Sequence, residues 1–389
     1  MSGENPPEYR LRLFLSVDLV GSTAYKSRDG YSNLTWMKAF QKFYGEFPSQ
    51  VARNYQLVCA EIPEIGTDEV ADGPKVWKTI GDEILFVNRV TSITHLGAYV
   101  TAFAKTLIEF GREVHAAYGL NTKGNAWLAA FPNPNRSIKL STNGSDPLLG
   151  DSDILTEEFE ASVDRQPNEY DFLGKGIDGG FRISRNSTME DFTISPALAY
   201  MLCRAKRNID TTKFNGRFVF HEPQQFKGVV NGEKYPVISL ITSRDESYDG
   251  LQNLEGKLLN RPREADFVSL FDYLDIYIRY HRIENPELKL TFKSSDVPPP
   301  DHYKKYIEEW REDLDKIKNA KVLEESAANE GNDPKQKALS EKDPISADLT
   351  EVLALFSKKY VEYLNARKLV RGQPEGQKNN AKDNDKSDS

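Results

Sequence analysis

A short apolar run, LRLFLSV (Leu11 to Val17), ends on an aspartate, Asp18. A run of this length reads as a buried strand, stopped by a turn over Asp18-Leu19-Val20-Gly21-Ser22-Thr23. A second apolar segment carries an acid at its own bend. Val76 to Ile80, the turn Gly81-Asp82 and Glu83 to Val87 read as a β-hairpin. A carboxylate at the end of a buried strand is costly unless it is paired or bound to a cation. Two of them on adjacent strands are hard oxygen ligands of the type that Mg²⁺ and Mn²⁺ take. Either aspartate alone reads first as a turn-capping residue. The two together, each inside a wider pattern, favour the metal.

The rest of the chain supplies layers for such strands. Asn33 to about Phe47 has helical spacing, with Leu34, Met37, Phe40, Phe43 and Tyr44 on one face. A helix is predicted over roughly Ile93 to Tyr118, with Ala98, Ala102, Leu107, Phe110 and Val114 as core positions, and a strand over Asn125 to Phe131. Residues 132–168 are rich in Pro, Asn, Ser, Gly and Asp and read as a long loop or insertion. Asp171-Phe172-Leu173-Gly174 leads into a helix through Arg185, and Arg217 to Phe220 and Tyr235 to Ile241 read as late strands. This order predicts an α+β fold, a mostly antiparallel sheet covered by helices, with a helical C-terminal extension.

The catalytic-type domain is thus expected over 1–243, followed by a helical region over 244–370 and a polar tail over 371–389. Within the helical region, Phe267 to Arg282 and Leu349 to Leu369 are amphipathic, Tyr303 to Ala320 is a charged helix, and 324–342 read as a linker. Of the 389 residues 39% are hydrophobic, enough for a packed core, and no apolar run approaches the ~20 residues of a membrane span. The polar start MSGENPPEYR lacks the apolar stretch of a secretory signal. Cys59 and Cys203 have no metal-ligand or disulfide spacing and read as free thiols of a cytoplasmic protein. A net charge of −8 argues against nucleic-acid binding, which is built from Lys and Arg.

Four segments in one order make a more specific pattern: DLVGST at Asp18, KTIGDEILF around Asp82, DFLGKGIDGGFRISR from Asp171, and QFKGVVNGEKYPVISL around Lys227. Together they resemble the motifs of class III nucleotidyl cyclases, enzymes that close a nucleoside triphosphate into a 3′,5′-cyclic monophosphate. The resemblance covers Asp18 to Leu240 and leaves the C-terminal region without a counterpart. It implies two divalent metal ions, Mn²⁺ or Mg²⁺, on Asp18 and Asp82, with the Leu19 carbonyl completing one coordination sphere. It implies that the amides of Gly21, Ser22 and Thr23 cradle phosphates, as turns entering helices do. It implies that Lys78 and Asp171 read the base, that Arg182 neutralises charge developing on the α-phosphate, and that Lys227 binds the β- and γ-phosphates. Without the family, Lys78 and Lys227 read as solvated strand residues and Arg182 as a surface helix residue in an ion pair. One position departs from the pattern: four residues before Arg182 the family carries Asn, and this chain has Asp178. An Asn donates to the ribose ring oxygen and an ionised Asp does not. Asp178 is then protonated, or paired with Arg182, or the ribose is held differently.

Lys with Asp is the base-reading pair of the family's adenylyl cyclases, and its guanylyl cyclases carry Glu and Cys-like residues there. The pair also suits uracil, with Lys donating to O4 and Asp accepting from N3–H, and cytosine, with Asp taking the N4 amine. Trp77, Tyr170 and Phe172 either shorten the pocket to pyrimidine depth or pack in the core. KGNAWLAAFPNPNR and GKGIDGGFRISR resemble the pyrimidine cyclases of bacterial Pycsar antiphage systems, whose cyclic product activates a separate effector. That resemblance ranks UTP first, then CTP, then ATP. In the family the metal aspartates come from one subunit, and the base pair, arginine and lysine from the other. One copy of each motif therefore implies a homodimer with two composite sites. The rivals are a degenerate nucleotide-sensing module without turnover and a different metal-dependent phosphotransferase.

Overall fold

The first apolar run forms β1 (Arg10–Val20), every residue of which is buried except the half-buried Asp18 and Val20. A computed structural model describes residues 5–27, 33–139, 155–283 and 286–330. The other strands are β2 (Val76–Ile80), β3 (Glu83–Val90), β4 (Asn121–Phe131), β5 (Arg136–Lys139), β6 (Tyr170–Leu173), β7 (Asp191–Ile194), β8 (Phe218–Phe220), β9 (Gln224–Gln225), β10 (Lys234–Tyr235) and β11 (Ile238–Ile241). The helices are α1 (Ser22–Lys26), α2 (Asn33–Ala60), α3 (Thr67–Ala71), α4 (Ile93–Tyr118), α5 (Glu157–Arg165), α6 (Lys175–Ile183), α7 (Pro196–Arg207), α8 (Ile209–Thr212), α9 (Glu246–Leu258), α10 (Phe267–Tyr280) and α11 (Asp301–Glu330). Seven strands make one sheet in the order β2-β3-β1-β4-β7-β11-β8, antiparallel except between β4 and β7. The expected α+β sheet covered by helices is the fold observed.

Because side chains alternate along a strand, β1 serves two cores. Leu11, Leu13, Leu15, Val17 and Leu19 pack with α2, α4, α7 and α10 on one face. Phe14 faces the other way, into an aromatic cluster with Trp77, Trp127, Phe131 and Phe172, beneath the β5–β6 ribbon. Arg10, Arg12, Ser16 and Asp18 share that second face by the same alternation. A strand buried on both sides reads as nearly continuous apolar sequence, which is why LRLFLSV was legible.

Several boundaries differ from expectation. Asp18, Leu19 and Val20 belong to β1 rather than to a turn, because β3 and β4 pair with the strand on both sides through Asp18. The chain bends only at Gly21, whose φ of 89° lies in the left-handed region that glycine adopts without strain. Helix α2 runs through Pro48 to Ala60, since Phe47, Val51, Tyr55 and Cys59 extend its buried stripe at four-residue steps. The late strand expected over Tyr235 to Ile241 is broken at Pro236, and β10 pairs with β9 instead of joining β11. Helix α6 stops at Ile183, with a 3₁₀ turn over Ser184–Asn186. The interval 132–168 is not a bare loop: it contains β5 and α5. Helix α5 is held by charge. Arg12, 1% exposed, reaches Glu160 at 2.7 Å and Asp164 at 2.6 Å, and Arg10 reaches Asp164 at 2.7 Å and also pairs with Glu157.

Contacts divide the chain into one compact unit, 1–315, and a second, 316–389, of which 316–330 are described and helical. Helix α10 buries Leu270, Leu274 and Ile278 in the main core, and Tyr303, Tyr306 and Trp310 of α11 form a satellite cluster with Tyr9. Residues 324–330 of the expected linker are helical. The rest of that linker, the helix expected over Leu349 to Leu369 and the tail lie outside the described residues. Cys59 and Cys203 are buried free thiols. Among the described residues no helix is long and apolar enough to cross a membrane.

One buried group makes the fold acid-sensitive. His95, in the first turn of α4, is fully buried, and its Nε2 has no hydrogen-bond partner among the described residues. Burial pushes its pKa below the ordinary 6.5, against the pull of Glu69 and Asp72. The unfolded chain then takes up a proton below pH 6.5 that the folded chain refuses, so stability is complete above that pH and is lost as the pH falls below it. The loss is expected to approach about 1.4 kcal/mol per pH unit for this one group. Melting curves of wild type and His95→Phe as the pH falls from 6.5 check this. The variant should show the flatter profile, and parallel profiles would refute the assignment.

Candidate active site

Asp18 and Asp82 lie at the same end of the central strands. Asp18 pairs with Glu83 across the β1–β3 ladder, so Asp82, one residue earlier, sits at the open end of that ladder. The Leu19 amide donates to the Asp82 carbonyl at 3.3 Å, and the Ser22 hydroxyl, at the start of α1, donates to the Asp82 carboxylate. The Tyr44 hydroxyl of α2 donates to the Gly81 carbonyl and so fixes the other side of the bend. Ser22 is 2% exposed. Its side chain is thus committed to holding Asp82, and the amides of Gly21, Ser22 and Thr23 stand at the start of α1.

A pocket opens beside Asp18, lined by Ser16, Glu83, Lys123, Asn125, Ser184 and Ser187. Lys123 Nζ lies 3.0 Å from Asp18 Oδ2. Burial pushes the Glu83 carboxyl above its usual range; the Ser16 hydroxyl beside it and the Lys123 ammonium oppose this, while the charges of Asp18 and Asp82 add to it. Both aspartates thus add negative charge around the half-buried Glu83 carboxyl. Ser16 donates to Asn125 Oδ1, and Asn125 Nδ2 donates to the Gly180 carbonyl at 3.3 Å. This chain of bonds ties the strand that carries Asp18 to the helix that carries Asp178 and Arg182.

Lys78 and Asp171, the two residues expected to read a base, stand together as an ion pair. Lys78 Nζ is 2.9 Å from Asp171 Oδ1, and the ammonium lies 4.0 Å from the Trp77 ring centroid. The two side chains are 34% and 37% exposed, open to a ligand. Lys78 pairs with Leu85, and Leu85 with Ser16, so Lys78 stands on the same sheet face as Asp18. Trp77, Tyr170 and Phe172 are 3%, 5% and 2% exposed and pack in the aromatic cluster. Of the two roles the sequence left open for them, core packing is the one observed.

Arg182 and Lys227 meet through the backbone, with Arg182 Nη1 donating to the Lys227 carbonyl. Gly228 makes room for this. Its φ is 75°, and a Cβ there would stand 3.0 Å from Arg182 Nη1. The Lys227 side chain is exposed. Asp178, four residues before Arg182, is exposed and forms no ion pair among the described residues, so the suggested Asp178–Arg182 pair is not made. The residues missed from sequence are Ser16, Glu83, Lys123 and Asn125. Glu83 and Lys123 were findable only from the ladder register that places them on either side of Asp18.

The donor set fits a hard divalent cation. Asp18 and Asp82 offer carboxylate oxygens, and among the described residues no group of three or more His, Cys, Asp or Glu forms a closed metal cage. Mg²⁺ and Mn²⁺ sites commonly have this form, one or two carboxylates with water and substrate phosphates as the remaining ligands.

No family model matches the sequence, and no curated protein does. Among solved structures the chain is similar to the adenylyl cyclase CyaB from P. aeruginosa, at 12% identity and a TM-score of 0.39 over 61% of this chain and 97% of that one. It is similar to the guanylate cyclase domain of RhGC from Catenaria anguillulae in complex with GTP, at 15% identity and a TM-score of 0.39 over 61% and 100%. It is also similar to a dimeric guanylyl cyclase domain of the RhoGC fusion protein from Blastocladiella emersonii, at 14% identity and a TM-score of 0.37 over 60% and 97%. With likeness at this level, what the site does has to be judged from its own residues.

Proposed function

We propose that the chain is a nucleotidyl cyclase that converts a nucleoside triphosphate, UTP first, into its 3′,5′-cyclic monophosphate and pyrophosphate. The observation that carries this reading is that the Asp82 carbonyl is bonded to the amide of Leu19, the residue after Asp18, at the end of β1 where a pocket opens beside Asp18. Divalent cations, when bound there, would lower the pKa of the ribose 3′-hydroxyl and offset charge on the phosphates. The chain's own residues do the rest. Ser22 and Tyr44 hold the β2–β3 bend, and with it Asp82, in place. Lys78 and Asp171 present one donor and one acceptor to a base edge. Arg182, steadied on the Lys227 carbonyl, brings a permanent positive charge to the α-phosphate, and the Lys227 ammonium reaches the terminal phosphates. Asp178, exposed and in no ion pair among the described residues, leaves the ribose ring oxygen without the family's donor.

The functional form is a homodimer in which each site takes Asp18 and Asp82 from one copy and Lys78, Asp171, Arg182 and Lys227 from the other. Two exposed apolar residues support this: Ile80, two positions before Asp82, is 49% exposed, and Leu173, two after Asp171, is 54% exposed. A partner copy would cover both. For the base, the ranking UTP, CTP, ATP rests on the donor–acceptor pair and on the resemblance to pyrimidine cyclases, without support from the buried aromatic residues. In that reading the cyclic product is a second messenger of antiphage defence that acts on a separate effector.

Incubation of the purified chain with Mn²⁺ and each of the four ribonucleoside triphosphates, followed by mass spectrometry, tests the proposal. Cyclic UMP as main product is the expected outcome. Exclusive formation of cyclic AMP would discard the pyrimidine assignment. A linear product would point to another phosphotransferase, and nucleotide binding without any product to a sensing module.

A further inference from the structure

We propose that Lys123 is the built-in counter-ion of the cation site, holding the place at Asp18 that a divalent cation must take, so that cation binding requires its displacement. The identity of the cation site rests on the cyclase reading above; the role of Lys123 rests on the strand register. Glu83, Asp18 and Lys123 are directly opposed on β3, β1 and β4. Opposed residues point to the same face with Cβ atoms about 5 Å apart, so the ladder sets an acid, an acid and a base in one row. The ammonium closes on the middle member at 3.0 Å. The central strands fix all three backbones, so Lys123 cannot drift from the site, and only its side chain can move.

Two observations separate this from an ordinary surface ion pair. Asp18 and Lys123 both line the pocket, together with Glu83. Asp18 is also the strand-end carboxylate that the cation reading needs, so one carboxylate is claimed by two cations. The Lys123 and Asp18 side chains are 34% and 29% exposed. Ion pairs open to solvent are weak, so a divalent cation is able to break this one. With a metal on Asp18, the ammonium would face a double positive charge a few ångströms away. It is then pushed out along its flexible stem toward the pocket, where a triphosphate would bring negative charge. The consequence is a raised threshold for the metal in the absence of nucleotide, and coupled binding of the two in its presence.

The test measures binding of Mn²⁺ alone to the full chain, by electron paramagnetic resonance of the free ion, with no nucleotide present. Lys123→Met, which keeps length and loses charge, is expected to bind Mn²⁺ about tenfold more tightly than wild type. Lys123→Arg is expected to stay within about twofold of wild type, since the competing charge is retained. Circular dichroism and a thermal melt confirm that each variant folds, and Lys123→Gln replaces the methionine variant should that one fail. Equal or weaker Mn²⁺ binding by the neutral variant overturns the inference. The two readings fail separately. Cyclic nucleotide formation by wild type with unchanged Mn²⁺ affinity in the variant removes the counter-ion role alone. Tighter Mn²⁺ binding in the variant, with no turnover of any nucleotide by wild type, removes the cyclase reading alone.

Discussion

Asp18→Ala and Arg182→Ala are each expected to abolish cyclic nucleotide formation, and an equimolar mixture of the two proteins to recover it in part. In the proposed site Asp18 is one of the two carboxylates that would hold a cation, and its loss would remove half of that charge. The expected fall in rate is about 10³-fold or more, by comparison with the loss of single charge-stabilising groups in other enzymes. Arg182 supplies its charge from another element, α6, and its removal is expected to cost about 10²–10³-fold. In a twofold dimer with shared sites, a mixed pair carries both lesions in one site and none in the other. Random pairing then restores about one quarter of wild-type activity. Rates of product formation for each variant and for the mixture, after co-refolding, make the measurement. Activity in the mixture no higher than in the single variants would show that each site is built from one chain. Both substitutions are expected to leave the fold intact, because Asp18 is half-buried with one ion-pair partner and Arg182 bonds to an exposed segment.

Arg12→Ala is expected to have the largest effect on stability, about 3–5 kcal/mol. The Arg12 guanidinium is buried between Glu160 and Asp164, whose side chains are 0% and 11% exposed. It also donates to Ser137 at 3.0 Å and lies over the Phe131 ring at 4.7 Å. A buried ion pair adds little compared with a well-packed apolar substitute. Breaking it by removing one partner is different, because carboxylates are left in a low dielectric with no counter-charge. Arg10 partly compensates Asp164 directly and reaches Glu160 only through space, without an ion pair. A melt of the variant should show a midpoint lowered by about 10 °C. The effect should reach the site as well, because α5 leads into β6, which carries Asp171, and the Lys75 ammonium, near the start of β2, donates to the Asp164 carbonyl at 2.8 Å. A midpoint within about 2 °C of wild type would mean that α5 is held by its apolar contacts alone.

Much of the layout was readable from local pattern. The hairpin around Gly81-Asp82 and helix α4 stand where periodicity put them. Helix α7 was missed, although Ser195-Pro196 is a start signal: the Ser195 side chain caps the Leu198 amide and proline takes the first helical position. Helix α5 was missed because its stability comes from Arg10 and Arg12, far earlier in the chain, and a composition rich in turn residues on either side hid it.

For the candidate site, what the sequence by itself determined was the identity and order of the groups: two aspartates at strand ends, a lysine and an aspartate before glycine turns, an arginine and a lysine later on. Those follow from residue type and spacing, which are local. Only the tertiary structure decided what stands next to what. It set Lys123 and Glu83 on either side of Asp18, placed Lys78 against Asp171, gave Arg182 to the Lys227 carbonyl rather than to Asp178, and sent Trp77 and Phe172 into the core. The physical reason is strand register. Pairing between segments a hundred residues apart fixes which side chains share a face, and a shift of one residue would turn every one of them to the opposite side.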